Sequence, residues 1–131
     1  MPKQETISVP LYIEMGVRKK KKHYINLNNY RNLHYQVSNK LKVEYKERLF
    51  IELHNLKFEN KIKLEFVLWK KDKRKGDRSN VLSIHEKFFC DAMVEYECIP
   101  DDNDNFIEST LYRTGGLDRE NPRVDVIITE I

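Results

Sequence analysis

Apolar positions along this chain fall into two rhythms, one of period two and one of period four. Ile7, Val9, Leu11 and Ile13 alternate with polar neighbours and predict a first strand over 6–14. From Leu33 through Val37, Leu41, Tyr45 and Leu49 to Leu53 the interval is four, a continuous stripe that predicts one long helix. Asn28 or Asn29 would cap its start, and it would end near 54–55. Alternation returns at Ile62, Leu64, Phe66 and Leu68, predicting a strand over 61–69. Gly76 then opens a turn into a second helix from Asn80 to Glu97, stopped by Pro100 and the acidic residues after it. Two closing strands, 106–113 and 123–129, flank a turn at Gly115-Gly116. The order β-α-β-α-β-β predicts an α/β (α+β) fold. It is a mixed four-stranded sheet with two helices on one face, a single compact domain over 1–131.

Composition narrows the class. Hydrophobic residues make up 40% of the chain, enough for one core, and no apolar run approaches the ~18 residues of a membrane-spanning helix. The start, Met1 to Pro10, has no apolar centre of the signal-peptide kind, so a cytoplasmic location is expected. Cys90 and Cys98, if both helical, lie ~12 Å apart along the axis. That is too far for a disulfide, and neither belongs to a zinc-like cluster. None of the four histidines has metal-ligand spacing, and each is expected to be structural or exposed.

Charge divides the chain. Residues 1–78 carry 20 Lys/Arg against 9 Asp/Glu, whereas 79–131 carry 4 against 12. Two dense basic runs stand in the first part. One is Arg18, Lys19, Lys20, Lys21 and Lys22; the other is Lys70, Lys71, Lys73, Arg74 and Lys75, with Arg78 just beyond. Such runs are the footprint of a polyanion binder, although a solvated loop gives the same sequence. Tyr24 and Tyr30, close to the first run, are candidates for stacking on unpaired bases, with ordinary packing as the alternative. Asp101-Asp102-Asn103-Asp104 in the acidic part offers oxygen ligands for a hard cation. Basic grips beside clustered carboxylates are what a metal-dependent nuclease needs.

The stretch from Asp77 to Asn103 carries the specific signal. Asp77 and Asn80 stand at a strand-to-helix turn, Lys87 precedes Asp91-Ala92-Met93 by four residues, and Asp101-Asp102 follow Asp91 by ten and eleven. This pattern resembles the RusA family of Holliday-junction resolvases, and the closing Asn121-Pro122-Arg123-Val124-Asp125-Val126 is similar to that family's last strand. The resemblance implies a RusA-like fold and a Mg²⁺-dependent endonuclease, with Mn²⁺ as the alternative ion. The implied substrate is branched DNA in phage or prophage recombination and repair, cut by a homodimer in the host cytoplasm. No membrane and no small-molecule cofactor beyond the metal are implied.

On that resemblance Asp77 and Asp102 are the metal ligands, and Lys87 supplies charge to the transition state. Asp91, one helical turn from Lys87, would hold it in place; Asn80 and Asp101 would support the site. One position departs: the family's second turn carboxylate is Ser79 here. Either Glu86 replaces it as a ligand or the chain binds branched DNA without cutting it. An RNA-binding or regulatory module is a third reading. Helix length poses a further problem. A helix over 80–97 spans ~26 Å, while residues 98–102 reach back at most ~18 Å. Asp77 and Asp102 could share a metal only if the helix ends early, the loop runs back along it, or Asp102 meets Asp77 of a second copy.

Overall fold

Residues 3–74 and 76–131 are described by a computed structural model. The sheet is built from β1 (Gln4–Pro10), β4 (Ile62–Lys70), β5 (Ile107–Leu117) and β6 (Arg123–Glu130). Their order is β1-β6-β4-β5; β6 runs antiparallel to both neighbours, and β4 and β5 are parallel. This is the mixed four-stranded sheet that alternation predicts. A parallel pair needs a crossover, and α4 (Arg78–Glu95) supplies it. The apolar face of β4 meets α4 through Phe66 and Phe89, whose rings lie edge to face at 6.1 Å. Val124, Val126 and Ile128 of β6 complete that layer, each fully buried.

Four departures from the sequence reading have local causes. The strand expected over 6–14 is two. Pro10 ends the pairing with β6, and β2 (Tyr12–Met15) pairs instead with β3 (Lys21–Tyr24), a strand that begins in the first basic run. Gly16 turns that hairpin at φ +148°, a conformation that excludes a side chain.

The long helix is three: α1 (Leu27–Asn32), α2 (Tyr35–Arg48) and α3 (Phe50–Leu53). Asn26, not Asn28 or Asn29, is the first cap, its side chain accepting from the Asn29 amide at 2.8 Å. Asn32 bonds back to the Asn28 carbonyl, and Leu33 and His34 turn extended. Asparagine side chains compete for backbone partners, so an Asn-rich first turn breaks where a periodic stripe reads through. Leu41, Tyr45, Leu49 and Leu53 are nevertheless buried as the stripe requires.

Gly115 and Gly116 make no turn; they lie within β5, beside a register shift at Trp69. A side chain at Gly115 would stand 2.6 Å from the Trp69 ring, so close approach, not a reversal, explains this glycine.

α4 ends earlier than expected and without Pro100. Glu97 takes φ +61°, and the Cys98 amide reaches the Met93 carbonyl at 2.8 Å, the closing bond of a Schellman-type stop. Lys42–Asp91 and Lys46–Glu95 pairs, both 3.4 Å, tie α2 to α4. Both cysteines are free and buried. Among the described residues, no helix is long and apolar enough to cross a membrane.

Candidate functional site

Folding brings the two basic runs together. The hairpin carries Lys22 on β3, and the second run leaves the end of β4, so both border one cavity of about 560 Å³. Its apolar lining includes Leu11, Ile25, Leu68 and Val81. Tyr12 and Tyr24, directly paired across the hairpin, stand in its wall with ring centroids 5.2 Å apart. Lys22 Nζ lies 4.8 Å from the Tyr12 ring centroid, a cation–π contact. Tyr30 lies elsewhere, edge to face on Phe88 at 5.8 Å, which makes it a packing residue.

Asp77 sits on the rim of this cavity. It is the N-cap of α4, its carboxylate accepting from the Ser79 amide at 2.9 Å. Asn80 is not the cap: its side-chain oxygen accepts from the Asn28 amide at 3.1 Å and pins α1 to the start of α4. Ser79 is exposed.

Further along α4 lies a smaller cleft of about 230 Å³, lined by Glu86, Lys87, Cys90, Asp102, Asp104 and Glu108 among others. The loop after α4 thus runs back along the helix, one of the solutions open to the sequence. Glu86 is half-buried and accepts a hydrogen bond from the Tyr112 hydroxyl. Burial, and that bond after it, push the Tyr112 hydroxyl well above its ordinary pKa. Burial likewise pushes the Cys90 thiol up to about 12, helped by the carboxylates of Glu86, Asp102 and Asp91. Cys90 therefore stays a thiol and is no nucleophile. Lys87 is exposed at the same cleft. Asp101 organises the loop, accepting from the Asp102 amide at 2.8 Å and from the Asn103 side chain at 3.1 Å.

Two expected partnerships do not form within the chain. Asp91 does not hold Lys87; it pairs with Lys42 of α2, because the helix rotates Asp91 toward its helical neighbour. Asp77 does not join Glu86 and Asp102, for it borders the larger cavity and they border the cleft. Glu86 lies nine positions after Asp77, ~14 Å along the axis of α4. Among the described residues, no group of three or more His, Cys, Asp or Glu is placed to hold a metal ion. Glu86 and Asp102 line the same cleft, and Mg²⁺ is commonly held by one or two carboxylates, substrate phosphate and water.

Arg18, Lys19, Lys20, Lys21 and Lys22 are exposed on the hairpin; Lys71, Lys73 and Arg74 are exposed after β4, and Lys70 is half-buried. Arg74 is 3.8 Å from Asp72. Arg78 reaches Thr114 of β5 at 3.5 Å. Lys75 lies outside the described residues. The sequence reading missed Tyr12, which shares a wall with Tyr24, and Tyr112, which orients Glu86. A hairpin turned at Gly16 would have revealed the first; nothing local marks the second.

No protein-family model matches the chain, and no curated protein matches it at a significant level.

Proposed function

We propose that this protein is a metal-dependent endonuclease of RusA type, acting on branched DNA such as a Holliday junction. The observation that carries the reading is the cleft shared by Glu86, Lys87 and Asp102. Sequence places these residues up to sixteen positions apart, and they are the types that phosphodiester hydrolysis uses. Mg²⁺ held by Glu86 and Asp102 would supply Lewis-acid polarisation of a phosphoryl oxygen. Lys87 brings a positive charge to the phosphate, and Tyr112 fixes the Glu86 carboxylate in place. The basic runs at the neighbouring cavity grip phosphates and give affinity without reading sequence. Two matched cuts in a four-way junction call for a two-fold homodimer. In such a dimer Asp77 of a second copy could complete the cleft that the chain's own Asp77 does not enter.

That separation of Asp77 from Asp102, together with Ser79 in place of a carboxylate, favours a second reading: a branched-DNA binder without chemistry. A four-way junction incubated with the protein and Mg²⁺ separates the two. Cleavage is expected, lost in Asp102→Asn and Glu86→Gln while binding remains. Binding without cleavage by the wild-type chain establishes the second reading. Equal affinity for junction, duplex and RNA rejects both. Mixed Asp77→Asn and Asp102→Asn subunits nick the junction only if the site is shared between copies.

A further inference from the structure

The larger cavity has features that phosphate gripping alone does not require. Flat electrostatic attachment needs exposed lysines and arginines. Here they surround a chamber with an apolar floor and a paired-aromatic wall. Its volume of about 560 Å³ lies within the roughly 300–1,000 Å³ of sites that enclose small organic groups. Of the described residues lining it, Lys22, Lys70, Lys71 and Arg74 are cationic and Asp72 and Asp77 are anionic. Asp72 accepts from the Arg74 amide at 3.0 Å and Asp77 from the Ser79 amide at 2.9 Å, so both carboxylates already have backbone partners. The chamber is therefore net cationic, apolar at depth and aromatic on one side.

We propose that this cavity takes one unpaired nucleotide of a branched DNA, its base stacked on Tyr24 and its phosphates held by Lys70, Lys71 and Arg74. The assignment rests on the branched-DNA reading above and adds to it a pocket for a base. Tyr24 is 41% exposed and lines the chamber, so its ring has a face to offer. Tyr12 is half-buried, carries Lys22 on its ring and braces Tyr24 across the hairpin. An aromatic face accepts any base, so the pocket would select for the unpaired state and not for sequence. A duplex keeps its bases stacked inside and cannot fill the chamber; a branch point or frayed end can.

The test uses the full chain in EDTA, so that nothing is cut. A four-way junction carries one unpaired 2-aminopurine at the branch and fluorescein at the end of an arm. Anisotropy reports binding, and 2-aminopurine emission reports stacking. The wild-type protein is expected to change the emission on binding and to prefer this junction over a fully paired one. Tyr24→Ala should abolish both and weaken binding roughly 5- to 150-fold, the equivalent of ~1–3 kcal/mol for one base–aromatic stack. Tyr24→Phe should restore them.

Binding seen by anisotropy with unchanged emission, and no preference for the unpaired base, overturns the pocket while leaving the DNA reading intact. That comparison needs no variant and holds even if Tyr24→Ala does not fold. Absence of any anisotropy change overturns the DNA reading itself. Free 2-aminopurine deoxyriboside monophosphate is the remaining arm. If it is quenched in a Tyr24-dependent way and the junction is not, the cavity serves a free nucleotide and the proposal fails.

Discussion

Adding one methyl group at Gly115 should destabilise this protein by an amount the geometry fixes. An ideal Cβ there would lie 2.6 and 2.8 Å from two Trp69 ring carbons and 2.8 Å from a Val67 methyl. All three separations are below what real side chains tolerate, so something must move. The Trp69 ring is held at its N–H edge and over its face. Its Nε1 donates to Asp125 at 3.0 Å, and the Arg123 guanidinium lies 5.1 Å from the ring centroid. Val67 is buried in the central strand β4. Overpacking of this kind costs ~1–3 kcal/mol. Unfolding entropy of about 2.1 cal/mol/K per residue over 131 residues is ~0.28 kcal/mol/K, so Gly115→Ala lowers Tm by ~4–11 °C. Gly76→Ala is the control, because a Cβ at Gly76 meets nothing within 4 Å. Both variants gain the same ~0.4–1 kcal/mol from a less flexible unfolded chain, which cancels in the comparison. Trp69 is the one tryptophan, so its fluorescence follows the melt and registers displacement of the ring in the folded state. A Gly115→Ala protein as stable as Gly76→Ala, with unchanged Trp69 emission, would refute the claim that close packing dictates this glycine.

Three further outcomes are expected. Lys87→Ala should lower junction cleavage ~10²–10³-fold without altering the melt; Lys42→Ala, which breaks the pair with Asp91, should cost under ~1 kcal/mol and leave cleavage unchanged. The reverse pattern in a paired melt and cleavage assay would restore Asp91 as the partner of Lys87. Neutralising Lys19 to Lys22 should flatten the salt dependence of junction binding by ~0.9 in log–log slope for each phosphate no longer neutralised, and an unmoved slope would show that the hairpin does not touch DNA. His85 is fully buried, with its Nδ1 hydrogen-bonded to the Tyr45 hydroxyl at 3.0 Å, and burial lowers its pKa to about 3. The unfolded chain then binds a proton that the folded chain refuses between about 6.5 and 3. Stability should fall as pH drops through that window, by up to ~1.4 kcal/mol per unit from this group, and be unaffected by it above 6.5. Denaturant melts of His85→Gln should show a shallower acid limb; an identical limb would contradict the burial argument.

Strand positions were legible where one face of an element is buried. Ile62, Leu64, Phe66 and Leu68 announce β4 because every second side chain enters the core, and Val124, Val126 and Ile128 do the same for β6. What escaped was decided by single groups. Asn26 and Asn32 spend side-chain hydrogen bonds on the backbone and divide a helix whose apolar stripe runs on without interruption. Gly115 and Gly116 read as a turn because glycine is common there, but their role depends on a tryptophan 46 residues away in sequence. The candidate site was legible through the RusA resemblance, which implied a site shared by Lys87 and Asp102. It was not legible as rotation about α4: Lys87 and Asp91 are one turn apart, yet only Asp91 faces α2. The second basic run was visible; its meeting with the first was not, because that depends on a hairpin hidden by Pro10.

Because α4 is an unbroken helix with one end at the larger cavity and its middle at the acidic cleft, it also fixes a length. The ~14 Å from Asp77 to Glu86 equals the axial rise of about four B-form base pairs at ~3.4 Å each. A duplex arm of the proposed substrate with its axis parallel to α4 and its branch point at the larger cavity would present its backbone to the cleft about four base pairs away. The helix would then act as a ruler that counts from the branch point.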